Sequence, residues 1–281
     1  MEIKLPEINT IIKEIIEVES KFDGNKKKIK DWVNEHRLSI KNNNLLIKNK
    51  SEKNDIKILL CLLRDLLVRA MRGEMGMKTF YELEKSIKNK NDLYENNYRE
   101  ILKHARYRWG SNVGSLIISS VVNIFENKYK WDWKIYFKEA KRYYLTNFQD
   151  DKLLAIKGIG FKVRDLALSN FNDNYIANDL HVVRVMTRMG ILNYGFDLLK
   201  DKNLEMGNNP GNEKNYLFLH KLILKLSDLT NNKYSPTDLD RIFWHLGKSL
   251  CGSKPKCAIC PINKICLMGK NITNDKNFLD N

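Results

Sequence analysis

Nowhere in the 281 residues is there a run of about 20 apolar side chains, so no segment is expected to span a membrane. The opening stretch, "MEIKLPEINT", lacks the basic and apolar regions of a signal peptide. Cysteine is scarce, with five residues, and it is not spread along the chain as in a secreted disulfide scaffold. These absences lead us to expect an intracellular, cytoplasmic protein. No Asn-Gly or Asp-Gly turn with alternating flanks announces a β-hairpin, and there is no internal repeat and no long low-complexity tract.

What is present is positive charge and helical periodicity. Lys and Arg number 49 against 34 Asp and Glu, a net charge of +15. That excess suits a polyanionic partner, most simply nucleic acid, although a Lys-, Asn- and Ile-rich composition alone can produce it. An anionic membrane surface is less favoured, because no single basic amphipathic helix stands out. The length allows two lobes, and 43% hydrophobic residues can supply a core.

Nearly every periodic segment reads as helix, and the fold class is all-α. "IKILLCLLRDLLVRAM" places Ile56, Leu59, Leu60, Leu63, Leu66, Leu67, Ala70 and Met71 on one face, with Cys61 as a small core residue. "LIISSVVNIF" has helical spacing, but its β-branched content leaves a strand open. "NYLFLHKLILKLSDL" is apolar nearly all round and should be buried. "SPTDLDRIFWHLGKSL" opens with a start signal: Ser235 as N-cap, Pro236 next, and Asp238 three residues after the cap. Polar, breaker-rich stretches at 40–55 and 202–215 read as seams.

Four of the five cysteines lie in "CGSKPKCAICPINKIC", with the spacing C-x5-C-x2-C-x5-C. Cys251, Cys257, Cys260 and Cys266 are therefore read as metal ligands. Structural zinc sites usually pair two separated C-x2-4-C knuckles. The compact run with one such knuckle suits a cubane 4Fe-4S cluster better, with zinc less favoured. Between the first two cysteines, Lys254 and Lys256 flank a proline that stiffens the backbone, which suits phosphate contact. They can equally be ordinary solvated lysines.

Upstream lies "LLAIKGIGFKVRDLAL". A short helical turn, the tight Gly158-Ile159-Gly160 link and a second helix from about Phe161 read as a helix-hairpin-helix. Its two glycines permit positive φ and close backbone approach, and helix N-terminal N–H groups can hold a phosphate oxygen without reading sequence. Lys162 stands at the start of the second helix, where the positive end of the helix dipole favours the neutral amine, the form that attacks carbon. It reads as a nucleophile or as a phosphate-binding lysine. In "YIANDLHVVRVMTRMG", Asp179 precedes an apolar-faced helix. It reads as an N-cap, or as an ionised carboxylate facing a cleft.

In this order, "IKGIGFK", "NDLHVVRV", "FWHLGKSLC" and the four-cysteine run resemble the endonuclease III family of DNA glycosylases. The resemblance extends from about residue 56 to 266 and is weakest over 1–55. It implies two helical lobes with a DNA-binding cleft between them. A six-helix barrel with the helix-hairpin-helix would occupy 56–175, and residues 1–55 with 176–281 would carry the cluster loop at 251–266. It also implies a 4Fe-4S cluster that shapes the basic loop. Lys162 would attack the sugar carbon C1′ of a flipped nucleotide, and Asp179 would stabilise positive charge on that sugar. The expected function is a bifunctional DNA glycosylase/AP lyase of base excision repair. It would act as a monomer on double-stranded DNA containing a damaged or mismatched base, an oxidised base above all. The rivals are a monofunctional uracil or thymine mismatch glycosylase in which Asp179 activates water, and a non-catalytic DNA-binding protein.

The chain departs from the family pattern in places. Lys157 stands where many relatives have proline. Arg164 occupies a usually small position, where it would alter helix packing or add a phosphate contact. "LLRDLLVR" replaces the Gln-Ala or Gln-Thr signature that often fills the gap of the flipped base, and "RWGSNVGSLI" lacks a frequent Lys-Ala pair. These changes fall where base choice is decided.

Overall fold

The structure, a computed structural model, describes residues 8–68, 73–95, 97–145, 150–192, 196–197, 202–203 and 213–271. Apart from two short hairpins, its regular elements are helical. The chain divides into two compact units: residues 38–177, and residues up to 37 together with those from 178 onward. Among the described residues no helix is long and apolar enough to cross a membrane.

The middle unit is built around α3 (Glu52–Leu66), which Ser51 caps by accepting a hydrogen bond from the Asn54 N–H. The expected face is buried, and so are Ile58 and Leu62, which places α3 inside the unit rather than on its surface. Ala70 and Met71 lie outside the described residues. Around α3 stand α4 (Gly73–Ser86), the single turn α5 (Asp92–Glu95), α6 (Tyr98–His104), α7 (Ser111–Asn123), α8 (Trp133–Leu145) and α9 (Phe161–Leu168). "LIISSVVNIF" is helix throughout: α7 runs into a π-helical turn at Ile124–Lys128, and Ile117, Ile118, Val121, Val122 and Phe125 are all buried. The period of its buried positions, rather than its β-branched content, decides its structure.

The seam expected at 40–55 is largely helical, because α2 (Ile29–Lys48) runs through most of it. Its asparagines have a reason to be there. Asn43 donates to the Asn170 carbonyl and Asn44 to the Phe171 carbonyl, both at 2.9 Å. These carbonyls lie just past the end of α9, where helical partners run out.

In the other unit, α1 (Ile8–Ile15) buries Ile8, Ile11, Ile12 and Ile15. It is followed by the hairpin β1 (Glu19–Phe22) and β2 (Asn25–Lys28), a correction to the expectation that no hairpin forms. Asp23 and Gly24 close it with φ of 47° and 78°, the pair of positive values that a two-residue turn matching strand twist requires. Its flanks are too short and too polar to alternate visibly. Further on come α10 (Leu180–Arg188), the two-residue strands β3 (Phe196–Asp197) and β4 (Lys202–Asn203), α11 (Glu213–Leu229) and α12 (Pro236–Ser249). Residues 204–212 of the expected loop lie outside the described residues. Helix α11 is less enclosed than expected: Tyr216, Leu219, Ile223 and Leu226 are buried, but Phe218 and Leu229 are exposed. Helix α12 begins with a reciprocal capping box, Ser235 and Asp238 each accepting the other's backbone N–H. Gly247 lets α12 approach α10 closely, since a Cβ there would lie 2.8 Å from the His181 carbonyl oxygen.

Candidate active site and cysteine loop

The hairpin of the middle unit begins not with an α-helical turn but with a 3-10 turn, Lys152–Ala155. Asp151 caps it, its Oδ1 accepting the Leu153 N–H at 2.9 Å. Gly158 has φ 104°, a left-handed value that favours glycine. Gly160 does not share it: at φ −106°, ψ 177° it is extended, so only one of the two glycines needs the conformational freedom expected of both. Ile159 is buried in the core of the middle unit. Helix α9 then starts at Phe161 without a side-chain cap, with Lys162 half-buried in its first turn.

Arg164 cannot make the phosphate contact that its position allowed. Its side chain is 0% exposed, with Nε 2.6 Å from Asp165 Oδ1 and Nη1 3.2 Å from Asp151 Oδ2. The guanidinium also lies over the Tyr175 ring at 5.8 Å. The Tyr136 hydroxyl faces Asp151 at 3.4 Å, and burial, reinforced by that carboxylate, pushes its phenol well above the usual range. The acid that caps the first turn of the hairpin thus shares its charge with an arginine of the second. One buried cation ties the two elements together.

Asp179 belongs to the other unit. The preceding residue, Asn178, is left-handed at φ 45° and donates its N–H to Asp240 Oδ1 at 3.2 Å. Asp179 is extended and caps α10. Its Oδ1 accepts the His181 N–H at 2.8 Å and the Val182 N–H at 3.4 Å. Its Oδ2 accepts the Trp244 indole N–H from α12 at 3.0 Å. The carboxylate is 8% exposed, so three donors hold it where little water reaches. Its capping role is real, and a helix N-terminus favours a carboxylate there. Sequence reading missed Trp244. It lies in the quoted "FWHLGKSLC", but nothing in the spacing tells which of its aromatics meets Asp179.

Helix α10 ends at Arg188, and that end meets the cysteine loop. Arg188 is buried. Its Nη1 donates to the Gly252 and Cys251 carbonyls at 2.5 and 3.3 Å and to Cys251 Sγ at 3.6 Å, and Nη2 donates to the Ser253 carbonyl at 3.4 Å. The Cys266 thiol donates to the Arg188 carbonyl at 3.2 Å. One guanidinium thus fixes the backbone from which Lys254 and Lys256 project, both exposed. No sequence signal marks this arginine beyond its place at the end of an amphipathic helix.

Cys251, Cys257, Cys260 and Cys266 line one cavity, floored by buried Leu246 and Ile262. Burial pushes the Cys251, Cys257 and Cys260 thiols up, the Cys260 thiol to about 11, and neighbouring thiols add to each rise. Thiols gathered round one cavity are a donor set of the kind that binds metal as thiolates. Among the described residues, no three Cys, His, Asp or Glu side chains are grouped to hold a single metal ion. Cys61 is apart from them, packed against the core of the middle unit, where burial pushes its thiol up to about 11.

The solved structures that match this architecture include these two. A trapped covalent intermediate of endonuclease III with DNA, an estranged-adenine complex, matches with a TM-score of 0.52 at 17% identity, over 86% of this chain and 98% of that one. A thermostable thymine-DNA glycosylase matches with a TM-score of 0.52 at 14% identity, over 85% of this chain and 98% of that one. The fold is that of the endonuclease III-like helix-hairpin-helix glycosylases. At these identities the endonuclease III-like fold is what is shared. No family model matches the sequence, and no curated protein does. In this endonuclease III-like fold the candidate residues are divided: Gly158, Gly160 and Lys162 belong to the middle unit, and Asp179, Lys254, Lys256 and the four cysteines to the other.

Proposed function

We propose that the protein is a bifunctional DNA glycosylase/AP lyase that excises a damaged base, an oxidised one above all, in base excision repair. The observation that carries this reading is Asp179: a carboxylate set at a helix N-terminus by two backbone donors and an indole, in an endonuclease III-like fold. A DNA clamp would not need a carboxylate so arranged.

The substrate is duplex DNA bound by a monomer, with the target nucleotide turned out of the stack. Backbone N–H groups around Gly158 and Gly160, and the ammonium groups of Lys254 and Lys256, hold phosphates. Departure of the base leaves positive charge on the sugar, and the Asp179 carboxylate stabilises it electrostatically. The Lys162 amine attacks C1′ as the bond to the base breaks. The resulting imine permits β-elimination of the 3′ phosphate. Cys251, Cys257, Cys260 and Cys266 would hold a 4Fe-4S cluster, which supplies structural bonds that tie the basic loop together.

The test is a panel of duplexes, each with one lesion or mismatch, incubated with a hydride donor. Wild type should become permanently linked to one of them, and Lys162→Gln should lose both the link and strand cleavage while still binding. Base release that persists in Lys162→Gln, leaving an intact abasic strand, moves the reading to the monofunctional enzyme. A wild type that processes no duplex makes the protein a DNA-binding clamp.

A further inference from the structure

We infer that Trp244 is a positioning residue for Asp179 and that the β1–β2 hairpin braces it; the inference rests on the catalytic reading of Asp179. An indole N–H can only donate. Trp244 aims it at Asp179 Oδ2 from 3.0 Å, while Oδ1 is already engaged by the His181 and Val182 backbone. With each oxygen tied to a different element, α10 on one side and α12 on the other, the plane of the carboxylate is fixed. A cap needs only the first of these ties. The second sets the direction in which the remaining lone pairs point, which matters for a group that must meet a developing charge.

Trp244 is itself held in place. The Phe22 ring packs edge-on against it at 5.5 Å and 84°, and the His181 ring at 6.0 Å and 79°. Phe22 is the last residue of β1 before the Asp23-Gly24 turn, and its ring also meets Trp32 edge-on at 5.8 Å. The hairpin is anchored to α12 a second time, where Ser20 Oγ lies 2.9 Å from Nδ1 of buried His245. The Lys248 ammonium lies over both the Phe22 and Trp244 rings, at 4.7 and 5.1 Å. The N-terminal segment, which the sequence left without a role, thus supports the indole that orients the acid.

The experiment replaces Trp244 by β-(3-benzothienyl)alanine, which keeps the indole shape and removes only the N–H, with Trp244→Phe alongside. Single-turnover base release should fall about 10-fold or more, as expected for loss of a hydrogen bond to a charged group. Duplex affinity should stay at the wild-type value, melting temperature should fall by only a few degrees, and the replacement should cost nothing further in Asp179→Asn. Base release at the wild-type rate in the benzothienyl protein overturns the inference. The free protein supplies a readout independent of activity. The ¹⁵N-labelled Trp244 indole resonance should move in Asp179→Asn, and an unmoved resonance overturns the contact. Should wild type process no lesion, the glycosylase reading fails by itself, and this resonance alone decides whether Trp244 holds the acid.

Discussion

Helices α9 and α10 each begin at a residue with a proposed chemical role, yet their N-termini are finished in opposite ways. At α9 the cap position is Gly160, which has no side chain to offer, and support comes from beneath through the buried Asp151–Arg164–Asp165 cluster. At α10 the cap position is Asp179, whose carboxylate takes two backbone donors and then the Trp244 indole. The first arrangement suits an end of the helix that receives its anion from outside, a DNA phosphate. The second carries its own anion. On the proposed function, the same dipole would serve binding in one case and charge placement in the other, with one cap residue deciding which.

The support beneath α9 is where the largest effect is expected. Arg164→Met leaves Asp151 and Asp165 buried with no counter-charge. It should cost about 3–5 kcal/mol of stability by urea or thermal unfolding, in contrast to a surface arginine. An Asp151→Asn/Arg164→Met double variant should recover part of the loss.

On the α10 side, the contact between α12 and the β1–β2 hairpin should be the acid-sensitive one. His245 is buried, stacked on Trp32 at 5.5 Å. Burial, with the nearby Arg241 and Lys248 charges, lowers its imidazole to about 3. Between pH 6.5 and about 3 the unfolded chain therefore binds a proton that the folded chain refuses, and stability falls as pH falls through that window. The slope is at most about 1.4 kcal/mol per pH unit, so about 2 kcal/mol should be gone by pH 5. Unfolding curves of wild type and His245→Gln should converge as the pH is lowered if this histidine is the cause.

The smallest effect tests the glycine directly. Gly160→Ser places a side chain where a Cβ meets nothing within 4 Å and where the backbone is already extended. It should give α9 a cap and add a few tenths of a kcal/mol of stability. It should also weaken duplex binding, because the serine hydroxyl then competes with the phosphate for the same N–H groups. Fluorescence anisotropy at several salt concentrations would show whether the two effects have opposite signs.

What could be read from the chain follows how local the information is. The Ser235 capping box and the helical period of α7 lie within a few turns of chain and were legible, although the β-branched content of α7 left a strand open. Asn43 and Asn44 looked like loop residues because the carbonyls that they satisfy are 127 residues away. Arg164 looked available to DNA because nothing in "KVRDLAL" shows that Asp151 and Asp165 enclose it. At Asp179 the sequence showed the cap and the candidate acid, but not the indole at its second oxygen, which arrives from 65 residues downstream. The β1–β2 hairpin was missed although Asp23-Gly24 was in plain view, since strands of four residues leave almost no alternation to detect.

The most direct measurement is single-turnover base release by Asp179→Asn, on whichever lesion the wild type processes. The asparagine keeps an acceptor for the α10 N–H groups but turns its amide NH2 toward the Trp244 indole, so melting temperature should fall by a few degrees at most while duplex affinity holds. The rate should fall about 100–1,000-fold, the contribution typical of a preorganised charge in a site that excludes water. An Asp179→Asn protein that releases base at the wild-type rate would contradict the account, and would leave Asp179 as a helix cap and nothing more.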